Sequence, residues 1–282
     1  MEIITTIETT RAKITAWKKA GLSVGLVPTM GYLHEGHGNL IDHSTAENDR
    51  TVVSIFVNPT QFAPGEDLTT YPRDLEKDMA FCLKRKTDLI FHPEPEEIYH
   101  PGYQTVVEVP LLASHLCGIS RPTHFRGVCG VVLKLFNIIT PDRAYFGLKD
   151  AQQYFILRRM VLDLDLNLTL VPCPIIREPD GLALSSRNVH LSKEDRLAAT
   201  ILKKSLSIAQ QLLESGEKNS TIIRQNMKNL LDFEPRCHLD YLEIVDTQTL
   251  TQIAEVKGEI LVALAAFFGK TRLIDNFIFV GD

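Results

Sequence analysis

Gly25-Leu26-Val27-Pro28-Thr29-Met30-Gly31-Tyr32-Leu33-His34-Glu35-Gly36-His37 carries an apolar, strand-like run into a segment with helical spacing. A strand that hands over to a helix exposes the helix's first unpaired amides and the positive end of its dipole, a place to hold phosphate. Gly36 removes a Cβ that would block close approach, and His34 and His37 add hydrogen bonds without a permanent charge. The alternative is two polar loop histidines that happen to be neighbours, and the rest of the chain decides between them.

Outward from this stretch, the first half alternates apolar runs with helix-period segments. Residues 22–27 and 51–57 are continuous Val- and Ile-rich runs, as strands covered on both faces should be. Helices are predicted over 36–48 and 74–84, and a short strand over 88–92. A buried helix over 127–139 is ended by Thr140-Pro141. A strand over 143–146, a helix over 151–161 and a strand over 167–171 complete the series. This alternation predicts an α/β fold, a doubly wound, Rossmann-like parallel sheet with ligands at the carboxyl ends of its strands. Pro172, Pro174 and Pro179-Asp180-Gly181 interrupt the pattern. Beyond them Ser192, followed by Glu194 and Asp195, opens a long amphipathic helix predicted to run to 214. A helix over 221–231 and strands over 239–245, 259–265 and 271–280 follow. The expected division is a Rossmann-like domain over 1–175 and a smaller C-terminal α+β domain over 176–282.

At 282 residues the chain can bury a large core in one or two domains. Its net charge of −5 argues against a nucleic-acid binder that works by neutralising phosphates. The densest basic run, Lys84-Arg85-Lys86, reads as a solvated helix end. The five cysteines are scattered with no Cys-x-x-Cys pair, so neither a zinc ribbon nor a disulfide framework is supported. Met1-Glu2-Ile3-Ile4-Thr5 lacks a basic leader, and no apolar run approaches the roughly eighteen residues of a bilayer span. A soluble, cytoplasmic protein without membrane or nucleic-acid partners is expected.

Several familiar signatures fail. His34-Glu35-Gly36-His37 brings its second imidazole one residue too early for a zinc protease. Gly269-Lys270-Thr271 resembles the end of a P-loop, but Leu264 stands where the first glycine is required. Gly36-His37-Gly38 supplies only two glycines of a dinucleotide fingerprint, and no Gly-x-Ser-x-Gly elbow occurs.

Four segments remain, and a doubly wound sheet would bring them together. The first is the loop from Pro28 to His37. The second is Phe56-Val57-Asn58-Pro59-Thr60-Gln61-Phe62, where Asn58 and Gln61 offer uncharged donors and acceptors beside an apolar ring; read as structure only, Asn58-Pro59 is a turn. The third is Phe146-Gly147-Leu148-Lys149-Asp150-Ala151-Gln152-Gln153, in which Lys149 suits phosphate and Asp150 suits either a helix cap or ribose hydroxyls. The fourth is Leu184-Ser185-Ser186-Arg187-Asn188, two hydroxyls and a guanidinium fit to close over a triphosphate.

Together with Tyr71-Pro72-Arg73 and His124-Phe125-Arg126-Gly127, these segments resemble, in order and over nearly the whole chain, the pantoate–β-alanine ligases of the nucleotidyltransferase superfamily with the His-x-Gly-His signature. The resemblance implies ATP-dependent condensation of pantoate with β-alanine through a pantoyl adenylate, with Mg²⁺ on the phosphates and no metal fixed by protein ligands. It implies a homodimer. It implies ATP contacts by Met30, Gly31, His34, His37, Gly147, Lys149, Asp150, Ile176, Leu184, Ser185, Ser186 and Arg187, with His37, His34 and Lys149 as the catalytic groups. Pro28, Met30, Gln61 and Gln153 would hold pantoate, and Gln61 would lie near β-alanine; by their apolar character Pro28, Met30 and Phe62 can cover the dimethyl group of pantoate. Three departures stand out: Leu148 where glutamate is usual, Leu184 where methionine is usual, and Gly38-Asn39 where Leu-Ser is commoner. A nucleotidyltransferase acting on a phosphorylated acceptor is the nearest rival, but it calls for more fixed positive charge than Asn58, Gln61 and Gln153 supply. An aminoacyl-tRNA synthetase would need room for tRNA that this acidic chain lacks. A non-catalytic nucleotide binder has no reason to keep both histidines, Lys149 and Arg187.

Overall fold

The computed structural model describes residues 1–281 except 64 and 67. Its first part runs β1 (Glu2–Ile4), α1 (Ile7–Lys19), β2 (Val24–Thr29), α2 (Glu35–Glu47), β3 (Arg50–Ile55), a 3₁₀ turn (Pro59–Gln61), α3 (Leu75–Lys84) and β4 (Leu89–Phe91). Three single-turn helices follow, α4 (Pro95–Ile98), α5 (Pro110–Ala113) and α6 (Cys117–Ser120). Then come α7 (His124–Ile139), β5 (Arg143–Gly147), a 3₁₀ turn (Leu148–Asp150), α8 (Ala151–Asp163) and β6 (Thr169–Cys173). All neighbouring strands pair in parallel, in the order β1-β4-β3-β2-β5-β6.

The strands alternate their side chains between two cores, as period-two geometry requires. Leu26, Val52, Phe91 and Ala144 pack with α1, α7 and α8 on one face. Val27, Val53, Ile90 and Tyr145 pack with α2 and α3 on the other. Strands β3 and β4 step away from β2 on one side, β5 and β6 on the other. The switch point therefore lies between Thr29 and Gly147, and the chains leaving those two ends flank one crevice.

The second part comprises a 3₁₀ segment (Ser186–His190), α9 (Lys193–Ala198), α10 (Ile201–Glu214), α11 (Ser220–Asp232) and the antiparallel strands β7 (His238–Asp246), β8 (Gly258–Phe268) and β9 (Thr271–Gly281). Leu202, Leu206, Ile223 and Met227 cover one face of this small sheet. Leu261, Ala263, Ile274 and Ile278 on its other face join the main core.

The doubly wound sheet with its smaller α+β domain matches the pattern in the sequence. One predicted element divides: the helix from Ser192 breaks between α9 and α10. Thr200 donates its hydroxyl to the Leu197 carbonyl at 2.8 Å, and the Leu202 amide bonds Ala199, a tightened turn that interrupts the ladder. Two elements carry little periodic signal, because β1 is three residues long and α1 buries only Thr10 and Ile14. Gly269-Lys270, weighed above as a P-loop fragment, is the two-residue turn between β8 and β9. Among the described residues no helix is long and apolar enough to cross a membrane. All five cysteines are free, and four of them are buried.

Candidate active site

After β2 the chain reverses through Gly31 and Tyr32, whose φ angles are 80° and 52°. A left-handed tyrosine is strained and needs a compensating contact. Asp78, buried on α3, supplies it by accepting from the amides of Tyr32 at 2.8 Å and Leu33 at 2.6 Å. Burial pushes the Asp78 pKa above the usual carboxylate value, and those two amides oppose the shift. A Cβ at Gly31 would stand 2.9 Å from the same carboxylate.

The turn sets His34 at the N-cap of α2. Its Nδ1 accepts from the Gly36 amide at 3.1 Å, while Nδ1 of His37 accepts from the His34 amide at 3.3 Å. The two imidazoles thus form a capping box, a task Ser and Glu perform elsewhere. Their ring centroids lie 4.1 Å apart. What approaches Gly36 is the His34 ring itself, since a Cβ there would meet Nδ1 at 2.9 Å. Burial, then the charge of Lys149, lowers the His34 pKa to about 4. Burial lowers that of His37 too, aided by His34 and Lys149. Both rings are neutral near pH 7, and with Nδ1 accepting, each carries its proton on Nε2 as a donor.

Past β3, Asn58 spends its side chain internally. Its amide donates to Gln61 Oε1 and the Gly127 carbonyl, both at 3.1 Å, and its oxygen accepts from Tyr99 at 2.7 Å. Asn58 therefore orients Gln61, whose Nε2 reaches Met30 Sδ at 2.9 Å. His124 and Arg121 hold the Gln61 carbonyl at 2.9 and 3.4 Å, and Glu66 grips the Arg121 guanidinium with both carboxylate oxygens.

Past β5, Lys149 sits in the 3₁₀ turn with its carbonyl held by Asn276 of β9 at 2.8 Å. Asp150 takes the N-cap position of α8 but makes no capping bond, and stands 3.8 Å from the Lys149 ammonium. The segment after β6 folds back on itself through an Arg177–Ala183 bridge, and the Leu184 amide bonds the Ile176 carbonyl. Arg177 fastens it to buried Asp275 of β9 by two bonds of 2.7 and 2.8 Å. That fold presents Ser185, Ser186 and Arg187, and Tyr71 meets the Ser186 hydroxyl at 3.3 Å.

These parts enclose a cavity of about 230 Å³ lined by Pro28, Met30, His34, His37, Gln61, Gly147, Lys149, Asp150, Gln153, Ile176, Leu184, Ser185, Ser186 and Arg187. It continues into a second cavity of about 950 Å³ between the main body and the small sheet, with Arg121, His124, Lys149, Asp150, Gln153, Ser185 and Arg187 on both walls. Two residues named from the sequence lie elsewhere. Gly31 is not among the lining residues; its amide bonds Thr29 Oγ1 at 3.1 Å within the turn. Phe62 packs edge-on against Tyr71, and Leu40, Phe56, Val128, Val131 and Val132 join Pro28 and Met30 in the apolar lining. Tyr71, Arg121 and His124 line the crevice without having been assigned a role. Two of them stand in the quoted Tyr-Pro-Arg and His-Phe-Arg-Gly segments, which is the only signal they leave.

The model of the family "Pantoate-beta-alanine ligase" matches residues 2–278. The pantothenate synthetase of Ruminiclostridium cellulolyticum is 52% identical over 282 residues, covering 100% of both chains. That of Enterococcus faecalis is 53% identical over 279 residues, 99% of each. The crystal structure of pantothenate synthetase from Thermus thermophilus matches with a TM-score of 0.92 at 42% identity, over 98% of this chain and 99% of that one. Pantoate-beta-alanine ligase from Francisella tularensis, crystallised with beta-gamma ATP and beta-alanine, matches with a TM-score of 0.80 at 34% identity, over 99% and 97%. The chain belongs to the pantoate-beta-alanine ligase family.

Proposed function

We propose that the crevice joins pantoate to β-alanine in two steps driven by ATP. A carboxylate is a poor acyl donor because its leaving group is oxide. A pantoate carboxylate oxygen attacks the α-phosphorus, the bond to pyrophosphate breaks, and pantoyl adenylate forms. The β-alanine amine then attacks the acyl carbon, the acyl–oxygen bond breaks, and AMP leaves behind pantothenate. Neither step needs an enzyme nucleophile; both need reactants held together and charge on phosphate oxygens stabilised. The observation that carries this reading is one cavity wall shared by His34, His37, Lys149, Ser185, Ser186 and Arg187 with Gln61 and Gln153.

In this reading the Nε2–H groups of His34 and His37, the Lys149 ammonium and the Ser185-Ser186-Arg187 segment receive the triphosphate. Met30, Gly147, Asp150, Ile176 and Leu184 border the nucleoside. Gln61 and Gln153 read the carboxylate and hydroxyls of pantoate, and Pro28 and Met30 meet its methyl groups. Among the described residues no group of three or more His, Cys, Asp or Glu side chains is placed to hold a metal. Mg²⁺ on the phosphate oxygens would neutralise charge there, and Asp150, on the same cavity wall, is the carboxylate able to hold it. A homodimer is supported by Val106, Leu111 and Ile119, exposed apolar side chains of the first part of the chain. Division at 175/176 is supported by the separate apolar core under α10 and α11. The five free thiols, four of them buried, accord with a reducing cytoplasm.

Pantoate-dependent exchange of pyrophosphate into ATP tests the first step. His37→Ala and Lys149→Ala should each lower it about 10²–10³-fold. Near-normal exchange in both variants would reject the roles given to them. Gln61→Ala should instead raise the pantoate concentration required, and an unchanged requirement at saturating ATP would reject that role.

A further inference from the structure

Three histidines line the smaller cavity, and the structure gives His124 the opposite tautomer to the other two. His34 and His37 accept amide protons at Nδ1 and present N–H at Nε2. His124, the first residue of α7, faces the Gln61 carbonyl with Nδ1 at 2.9 Å. A carbonyl only accepts, so Nδ1 of His124 bears the proton and Nε2 carries a bare lone pair. Burial, then the charge of Arg121, lowers the pKa of this ring to about 4, with Glu66 and Asp150 opposing, so the lone pair persists at neutral pH. Nearby, Gln61 Oε1 accepts from Asn58, both Glu66 oxygens hold Arg121, and Asp150 lies 3.8 Å from the Lys149 ammonium.

His124 also lies on both the small cavity and the larger one that opens from it. An amine that arrives after the adenylate has formed enters through the larger space and meets His124 at the junction. Resting on the acyl-transfer reading above, the geometry points to His124 Nε2 as the base that takes the proton of the attacking amine. As the neutral amine forms its C–N bond, the nitrogen becomes cationic and acidic. Its proton passes to Nε2, the acyl–oxygen bond breaks, and the imidazolium returns the proton to the departing AMP phosphate. The weak basicity of the ring suffices because the proton is taken from this acidified nitrogen and not from free β-alanine.

His124→Asn separates this role from a structural one. Asparagine places an N–H near the former Nδ1, able to keep the Gln61 carbonyl bonded, and removes the lone pair at Nε2. Pantoate-dependent pyrophosphate exchange reads adenylate formation, and AMP release on adding β-alanine reads transfer. The expected result is exchange within about tenfold of the parent protein and AMP release lowered about 10²–10⁴-fold at saturating β-alanine. Retained exchange also shows that the variant is folded; should His124→Asn not fold, His124→Gln, whose amide reaches the former Nε2 without a basic lone pair, is read by the ratio of AMP release to exchange, which should still fall, and an unchanged ratio would overturn the proposal. Unchanged β-alanine-driven AMP release, or an equal fall in both reactions, would overturn the proposal. Absence of pantoate-dependent exchange in the parent protein would overturn the ligase reading beneath it.

Discussion

Asp78 shows how a residue far from the chemistry sets its geometry. It lies 46 residues beyond Tyr32, yet its carboxylate holds the two amides that let the histidine loop turn. Asp78→Ala should orphan both and destabilise the fold by roughly 1–3 kcal/mol for each amide left unpaired. A denaturant midpoint equal to that of the parent protein would contradict this. His34 and His124 give a second prediction at the same scale. Each has a folded pKa of about 4 against an ordinary 6.5, so between those values the unfolded chain binds more protons. Stability should be intact above pH 6.5 and fall as pH drops toward 4, and His124→Asn should flatten the slope; urea midpoints across that window measure it. The histidine pair was legible because its close spacing carries its own chemistry. Asp78 was not, because nothing near it in sequence says which amides it meets. His124 left only a motif, since its tautomer depends on a carbonyl 63 residues away.

At the scale of elements, the segment bearing Ser185 to Arg187 is no free loop. The Arg177–Asp275 pair fastens it to β9, and Arg196 adds bonds to Glu178 and Asp180. Removing one partner of a buried pair strands the other charge, at a cost of about 3–5 kcal/mol. Arg177→Ala should therefore lower the melting temperature and raise the ATP concentration needed for half-maximal exchange. A lowered melting temperature with unchanged ATP dependence would separate the pair from the site. Pro172, Pro174 and Pro179-Asp180-Gly181 made the interruption legible, but not its fold, because the anchor Asp275 lies on the last strand. Asn58 follows the same rule: its amide type suited a ligand, and only the packing of Gly127 against the Thr60 carbonyl shows why it faces inward.

For the whole molecule, the sheet order decides where chemistry can occur. Placing β2 beside β5 brings the histidine loop and Lys149 to one crevice, and the small sheet closes its far side through Asn276. Strand–helix alternation made that arrangement legible, because parallel neighbours leave few ways to connect them. The large space between the two sheets was not legible, since it depends on which face of β8 and β9 meets the main core. Under the proposed function the crevice activates a carboxylate by adenylation. Pantoate carrying ¹⁸O in its carboxylate tests it most directly, with products read by mass spectrometry after one turnover with ATP and β-alanine. One labelled oxygen should appear in AMP and none in pyrophosphate. Unlabelled AMP, or label in inorganic phosphate alongside ADP, would rule out adenylation of the carboxylate.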